Sequence, residues 1–255
     1  MIIRKSRKDI AGLREAGRVV ALAHRAMRAA ADVGVTLRDL DEVARDVLRE
    51  HGATSAFLDY HPHFAPTPFP GVICASKNDV IVHGIPNDDP LKDGDLLSID
   101  FGAILDGWVG DAAVTFSVGT VRPEDEHLRQ AAEDALAAGI AAAAPGARLG
   151  DIGAAIGAIG RGHGYGIPQG WGGHGVGRAM HEEPSVPNEG QPGRGLRLRP
   201  GLVIAIEPMF MAGGRDDYRI DDDGWTIRTV DGSRASHAEH TIAITDDGPQ
   251  ILTLP

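Results

Sequence analysis

The chain repeats itself once. Residues 37–52 read LRDLDEVARDVLREHG and residues 149–164 read LGDIGAAIGAIGRGHG. At an offset of 112 residues, Leu37 is matched by Leu149, Asp39 by Asp151, and His51-Gly52 by His163-Gly164. Apolar residues at 37, 40, 43 and 47, and at 149, 152, 156 and 159, have the spacing that places them on one face of a helix. LREAG at 13–17 and LRQAA at 128–132 form an earlier helical pair. Strands follow in the same order. KDGDLLSID at 92–100 and RPGLVIAIE at 199–207 each give a glycine turn, a buried strand and a terminal carboxylate, at an offset of 107. Amphipathic helices and glycine-initiated strands can resemble one another by chance, but the matching order across several elements makes chance the weaker explanation. The period is too long for a solenoid, so two fused halves are expected, about 7–118 and 119–250, within one domain covering 1–255. With 255 residues, 42% of them hydrophobic, the chain can bury a substantial core.

Residues 96–119, LLSIDFGAILDGWVGDAAVTFSVG, predict a β-hairpin. Asp106-Gly107 suits a two-residue turn with positive φ at both central positions. Folding there pairs residue 105 with 108, 104 with 109 and 102 with 111. Asp111 then lies opposite Gly102, with Asp100 as its diagonal neighbour on the same face, about 7–8 Å away. Two negative charges on one apolar face are unfavourable unless a cation neutralises them.

Three more residues fit a metal site. His174 lies in Gly-Gly-His-Gly-Val-Gly, where glycines allow close backbone approach. Glu207 ends the apolar strand LVIAIEP, a place where a lone carboxylate is rarely tolerated without a partner. Glu239 begins the apolar run after Ala-Glu-His-Thr. Singly, Asp111 could cap a turn, Glu207 could pair with an arginine and His174 could be a core histidine. Together, four carboxylates and one imidazole suit a pair of divalent first-row ions better than one tetrahedral structural zinc. Two ions about 3.5–4 Å apart can activate a water and polarise a carbonyl. His83, in Val-His-Gly-Ile-Pro, and His181, in Met-His-Glu-Glu-Pro, add no needed ligand but suit proton transfer or a hydrogen bond to a peptide group. Surface or structural roles are expected for His51, His61, His63, His163, His237 and His240, with His61 and His63 flanking the expected substrate loop.

Residues 61–71, HPHFAPTPFPG, carry four prolines and exclude regular structure. Residues 184–200 read as a surface loop, and strands are expected at 201–206, 225–230 and 238–245. A net charge of −11 disfavours direct nucleic-acid binding. The basic run Arg4-Lys5-Ser6-Arg7-Lys8 is read as the solvated start of a helix, with ribosome association as a second reading. Cys74 is the only cysteine, which excludes an intramolecular disulfide and a zinc finger. The N-terminus lacks the apolar core of a signal peptide, and the alanine-rich run at 135–144 is too short to span a bilayer. Cytoplasmic location is expected.

His83-Gly84-Ile85-Pro86, Ser98-Ile99-Asp100-Phe101-Gly102, Gly107-Trp108-Val109-Gly110-Asp111, Gly173-His174-Gly175-Val176-Gly177, His181-Glu182-Glu183-Pro184, Ile206-Glu207-Pro208-Met209 and Ala238-Glu239-His240-Thr241 together resemble the type I methionine aminopeptidases, in order and over nearly the whole chain. The resemblance implies an α+β pita-bread fold: two pseudo-symmetric halves of helices packed on a curved, mainly antiparallel sheet. It implies two divalent metal ions (Co, Mn, Fe or Zn) held by Asp100, Asp111, His174, Glu207 and Glu239, with Asp111 and Glu239 bridging both. Glu207 would also serve as base. His83 would assist proton transfer at the scissile region, and His181 would hydrogen-bond the substrate carbonyl. Phe69, Cys74, Met180 and Trp225 would form the methionine pocket. The implied activity is hydrolytic removal of N-terminal methionine from nascent proteins and peptides when the second residue is small, by a monomer. Met180, Pro66 and Val109 depart from frequent family residues, and bear on pocket shape and not on the ligands. The alternatives are an Xaa-Pro aminopeptidase of the same fold and a non-catalytic pita-bread protein binding peptides or partners. Against the first, about 80 residues precede His83, short for the usual extra N-terminal domain. The 25 residues between His181 and Glu207 leave no room for the helical insertion of the type II enzymes.

Overall fold

A computed structural model describes residues 2–63 and 65–255. The first half supplies helices α1 (Arg7–Ala30) and α2 (Leu37–Glu50), then β1 (Thr54–Ser55), β2 (Ile73–Lys77), β3 (Val80–Val82) and the long hairpin β4 (Leu96–Leu105) and β5 (Trp108–Ser117). The second half supplies α3 (Pro123–Ala142) and α4 (Leu149–Gly162), then β6 (Gly172–Gly175), β7 (Glu182–Pro187), β8 (Val203–Ile206) and β9 (Met209–Met211). It continues with β10 (Tyr218–Ile220), β11 (Ile227–Thr229), β12 (Ala235–His237), β13 (Glu239–Thr245) and β14 (Gly248–Ile251).

The repeat has a local physical basis. Asp39 and Asp151, matched in sequence, both sit at the third position of their helices. Their carboxylates accept the backbone N–H of Thr36 (2.8 Å) and Arg148 (2.7 Å), satisfying donors that a helix start leaves unpaired. At the other end, Gly52 (φ +62°) and Gly164 (φ +74°) take the left-handed conformation that stops a helix.

One nine-stranded antiparallel sheet joins the halves, in the order β1-β4-β5-β13-β8-β6-β7, with β2 also on β4 and β14 on β13. The hairpin register is the expected one: Leu105 pairs with Trp108, Ile104 with Val109, and Gly102 with Asp111. The seam between halves is β5 against β13, where Ala113 faces Glu239 and Ala112 faces His240. Side chains alternate across a strand, and each strand uses its two faces differently. Leu97, Ile99, Phe101 and Ala112 pack with Val20, Met27 and Leu40 of α1 and α2. Ile204, Ile206, Ile242 and Ile244 pack with Leu128, Ala132, Ile152 and Ile156 of α3 and α4. Burying each large apolar side chain fully contributes about 1.5–3 kcal/mol, so these two cores hold both helix pairs on one face of the sheet. The intervening residues of the same strands, Asp100, Asp111, Glu239 and, just beyond β8, Glu207, belong to the opposite face.

Three sequence readings are corrected. Residues 184–187 are not loop: they belong to β7, where Val186 pairs with Gly173 and Pro187 with Gly172. Prolines 184 and 187 are tolerated because β7 is the edge of the sheet, where a missing N–H breaks no ladder on the outer side. Lys5 is not solvated. It is buried and paired with Glu182, while its neighbours Arg4, Arg7 and Lys8 are exposed. His237, expected at the surface or in a structural role, lies at the carboxylate cluster.

Candidate active site

The four carboxylates and His174 meet on the face of the sheet that the helices leave open. Asp100 comes from β4 and Asp111 from β5, brought together by the hairpin. His174 lies in β6, which can approach its neighbours only as glycine-rich backbone. A Cβ on Gly173 would stand 2.1 Å from the Ala205 carbonyl oxygen, and one on Gly175 2.3 Å from that of Glu183. Glu207 follows β8, and Glu239 opens β13 at the seam. Asp111, His174 and Glu239 form one group whose donor atoms lie within 4.8 Å of one another, and Glu207, His237 and Glu239 form a second. His174 Nε2 is 3.5 Å from Asp111 Oδ2 and 3.6 Å from Glu207 Oε1. His237 Nε2 is 3.4 Å from Glu207 Oε2 and 4.0 Å from Glu239 Oε2. Sequence reasoning missed His237, although a signal existed: in extended chain a residue two before Glu239 shares its face.

The donor set fits hard divalent cations. Asp100 Oδ1, Asp111 Oδ1 and Glu239 Oε1 are buried and have no hydrogen-bond partner among the described residues. The His174 ring is oriented by its Nδ1 against the Gly175 carbonyl at 3.0 Å, which leaves Nε2 as the ligating nitrogen. Burial, with the charges of Asp111 and Glu207, pushes Asp100 well above the usual carboxylate range. Burial and then Asp111, Glu207 and Asp100 do the same to Glu239. Asp111 is also raised, chiefly by burial. For Glu207 burial acts upward but is outweighed by His237 and His174, so its carboxyl lies below the usual value. Burial lowers His174, and the neighbouring Asp111 and Glu207 carboxylates overcome it, leaving the ring raised. A divalent charge between these groups would remove the repulsion that raises the carboxyls.

One cleft contains every residue singled out from the sequence: Phe69, Cys74, His83, Asp100, Asp111, His174, Met180, His181, Glu207, Trp225 and Glu239 all line it. Phe69 and Trp225 meet edge to face at 5.1 Å between ring centroids. Among the described residues of the proline-rich loop, Phe69 is the aromatic in the cleft wall, while Pro66 is exposed and lies against Gly224. The loop is pinned at both ends and at its tip. Phe69 N–H donates to the Tyr60 carbonyl at 2.9 Å, and Trp225 Nε1–H donates to the Thr67 carbonyl at 2.9 Å. Burial and the surrounding carboxylates push the Cys74 thiol well up, which makes it an apolar wall residue and not a nucleophile.

His83 and His181 both line the cleft, against different rings. His83, at φ +59°, meets Trp171 edge to face at 5.1 Å and Trp225 at 6.0 Å. Burial lowers it to about 4. His181 is lowered to about 3 by burial and then by the adjacent His174. Both are neutral near pH 7. Tyr60, Phe57, Trp171 and Met209 also line the cleft. They were not singled out from the sequence, because they come from loops and short strands whose local pattern does not mark a site.

Comparison with known proteins agrees with this geometry. The profile of metallopeptidase family M24 matches residues 11–246. Methionine aminopeptidase 1 of Mycobacterium tuberculosis (strain CDC 1551 / Oshkosh) is 51% identical over 261 residues, covering 100% of this chain and 96% of that protein. The crystal structure of methionine aminopeptidase from Rickettsia prowazekii superposes with a TM-score of 0.95 at 40% identity, covering both chains completely. An Xaa-Pro dipeptidase from Bacillus anthracis shares the fold alone, with a TM-score of 0.78 at 21% identity over 98% of this chain and 61% of its own. The chain therefore belongs to metallopeptidase family M24, within its methionine aminopeptidases.

Proposed function

We propose that this chain removes methionine hydrolytically from the N-termini of nascent proteins and peptides whose second residue is small. The observation that carries the proposal is the buried Asp100–Asp111–His174–Glu207–Glu239 cluster beside an apolar wall of Phe69, Cys74, Met180 and Trp225. The wall offers a methionine side chain aromatic and thiol contacts, worth about 0.3–1.5 kcal/mol for each sulfur–ring pair. The five cluster residues would hold two divalent ions of the Co, Mn, Fe or Zn type. Bound there, the ions would supply an activated water and polarisation of the scissile carbonyl.

The remaining work falls to side chains of the cleft. Glu207 is held ionised by His237 and His174, so it can accept the proton of the attacking water. His181 is neutral and can donate one hydrogen bond to the carbonyl oxygen as negative charge develops on it. His83, set against Trp171 and Trp225, stands ready to pass a proton to the departing amine. The wall excludes water from the substrate side chain. Selection at the second residue would be steric.

No helix among the described residues is long and apolar enough to cross a membrane. A cytoplasmic monomer acting on emerging chains is the setting we propose, with exposed Arg4, Arg7 and Lys8 as the surface for ribosome association. The proposal is tested with Met-Ala-Ser, Met-Leu-Ser and Ala-Pro-Ala, after chelation and after restoring Mn(II) or Co(II). Metal-dependent release of methionine from Met-Ala-Ser alone is expected. Cleavage of Ala-Pro-Ala instead would assign the proline-specific activity, and no cleavage by folded, metal-loaded protein would overturn the peptidase reading.

A further inference from the structure

His181 packs against two rings, tilted on His174 and stacked on Tyr60. Its ring centroid lies 4.1 Å from that of His174, at 42°, and 5.3 Å from that of Tyr60, nearly parallel at 27°. The Tyr60 hydroxyl is 2.8 Å from His181 Nδ1. Both side chains line the cleft, so one nitrogen of His181 is engaged by the protein and the other, Nε2, is left for whatever enters.

A neutral imidazole carries one N–H, and the hydrogen bond at one nitrogen decides where that proton sits. A phenol O–H is a stronger acid than a neutral imidazole N–H, and an imidazole lone pair is a better acceptor than a phenol oxygen. The favoured arrangement is therefore O–H to Nδ1. Tyr60 is fixed for this role by its backbone. Its N–H donates to the Phe57 carbonyl at 2.9 Å and its carbonyl accepts from Phe69 at 2.9 Å. These bonds close the base of the proline-rich loop, so the hydroxyl is positioned by the same segment that supplies the Phe69 wall.

We propose that Tyr60 is a positioning residue that donates its hydroxyl proton to His181 Nδ1, and so keeps the His181 proton on Nε2, facing the substrate carbonyl. The inference rests on the peptidase reading for what Nε2 meets, but the hydrogen bond itself belongs to the resting protein.

The test uses full-length protein loaded with Zn(II), which is diamagnetic, and labelled with 15N-histidine. Long-range proton–nitrogen correlation reads the tautomer, with His181 assigned by its loss in His181→Gln. In the unsubstituted protein Nδ1 is expected unprotonated and Nε2 protonated. In Tyr60→Phe, which keeps the stacked ring, a mixed tautomer population is expected. With Met-Ala-Ser, kcat is expected to fall about tenfold with KM within about twofold, the pattern of an interaction that matters most in the transition state. In a double-mutant cycle the Tyr60→Phe loss is expected to shrink in the His181→Gln background. A protonated Nδ1 in the unsubstituted protein overturns the proposal, and needs no variant to fold. An unchanged tautomer and unchanged kcat in Tyr60→Phe overturn it equally. The expected tautomer shift in a protein that cleaves no methionyl peptide would support the hydrogen bond and refute the peptidase reading instead.

Discussion

Asp100 shows what a single residue can be asked to do against its own protein's stability. Its carboxyl is buried beside Asp111 and raised well above the range it has in an unfolded chain. A carboxyl raised by folding binds its proton more tightly in the native state, so stability falls as pH climbs from the unfolded value toward the folded one. In chelated protein, Asp100→Asn is therefore expected to stabilise by about 1–3 kcal/mol at pH 7, with the gain disappearing toward pH 4. Urea unfolding at the two pH values measures it. The same variant is expected to lose Mn(II) binding by calorimetry. A substitution that leaves chelated Asp100→Asn less stable at pH 7 would mean the carboxylate has a structural partner. The carboxylates of this cluster were legible in the sequence because each lies in or at the edge of an apolar strand, where a charge is conspicuous, and His174 because glycines surround it. Tyr60 and Trp171 were not, because they reach the cleft by tertiary approach. His237 was overlooked among six histidines although its spacing from Glu239 marked it.

Among the elements, the turn carrying Met180 and His181 depends on a residue far away in sequence. Glu182 accepts from Arg178 N–H at 2.8 Å and Ala179 N–H at 3.3 Å, and it pairs with buried Lys5 just before α1. Burial acts to raise the Glu182 carboxyl, but Lys5 and the two N–H groups outweigh it and hold it below the usual range. A carboxyl lowered by folding contributes stability above its unfolded value and loses it as pH falls through the folded one. Lys5→Met leaves the carboxylate its two N–H partners but no cation, and is expected to destabilise by about 1–2 kcal/mol at pH 7, and less below pH 4, where the carboxyl is protonated. Lys5→Met/Glu182→Gln is expected to recover part of the loss. Urea titrations of the three proteins at pH 7 and pH 4 decide it; equal losses at both would exclude the ion pair as the cause. This contact shows the limit of reading elements in isolation. The hairpin's register was legible because Asp106-Gly107 fixes it locally, with φ of +51° and +74°. The fate of Lys5 and the pairing of proline-containing β7 were not, since both are settled by a partner strand or side chain distant in sequence.

In the whole molecule the two halves share one sheet, and the site lies across their seam. Asp100 and Asp111 belong to the first half, while His174, Glu207 and Glu239 belong to the second. The duplication was readable because helix starts and helix stops recur in order along the sequence, but the expected strand-ending carboxylate holds only for Glu207, since β4 runs on through Asp100 to Leu105. The closeness of β5 to β13 was not, because it is a pairing between halves with no shared local motif. Cations bound by carboxylates of both halves would link them. Ligand present at about 100 times its dissociation constant stabilises the folded state by about 2.7 kcal/mol per site. Mn(II) added to chelated protein is thus expected to raise the melting temperature in a concentration-dependent way. Hydrogen exchange separates a link between halves from a local effect. Protection on adding Mn(II) is expected in both β5 around Asp111 and β13 around Glu239, strands whose only direct pairing is Ala112–His240 and Ala113–Glu239. Asp111→Asn and Glu239→Gln, on opposite sides of the seam, are each expected to abolish the protection in both strands. Protection that survives in β13 when Asp111 is replaced would mean that the second half binds the cation alone, and that the hairpin contributes a wall and not a ligand.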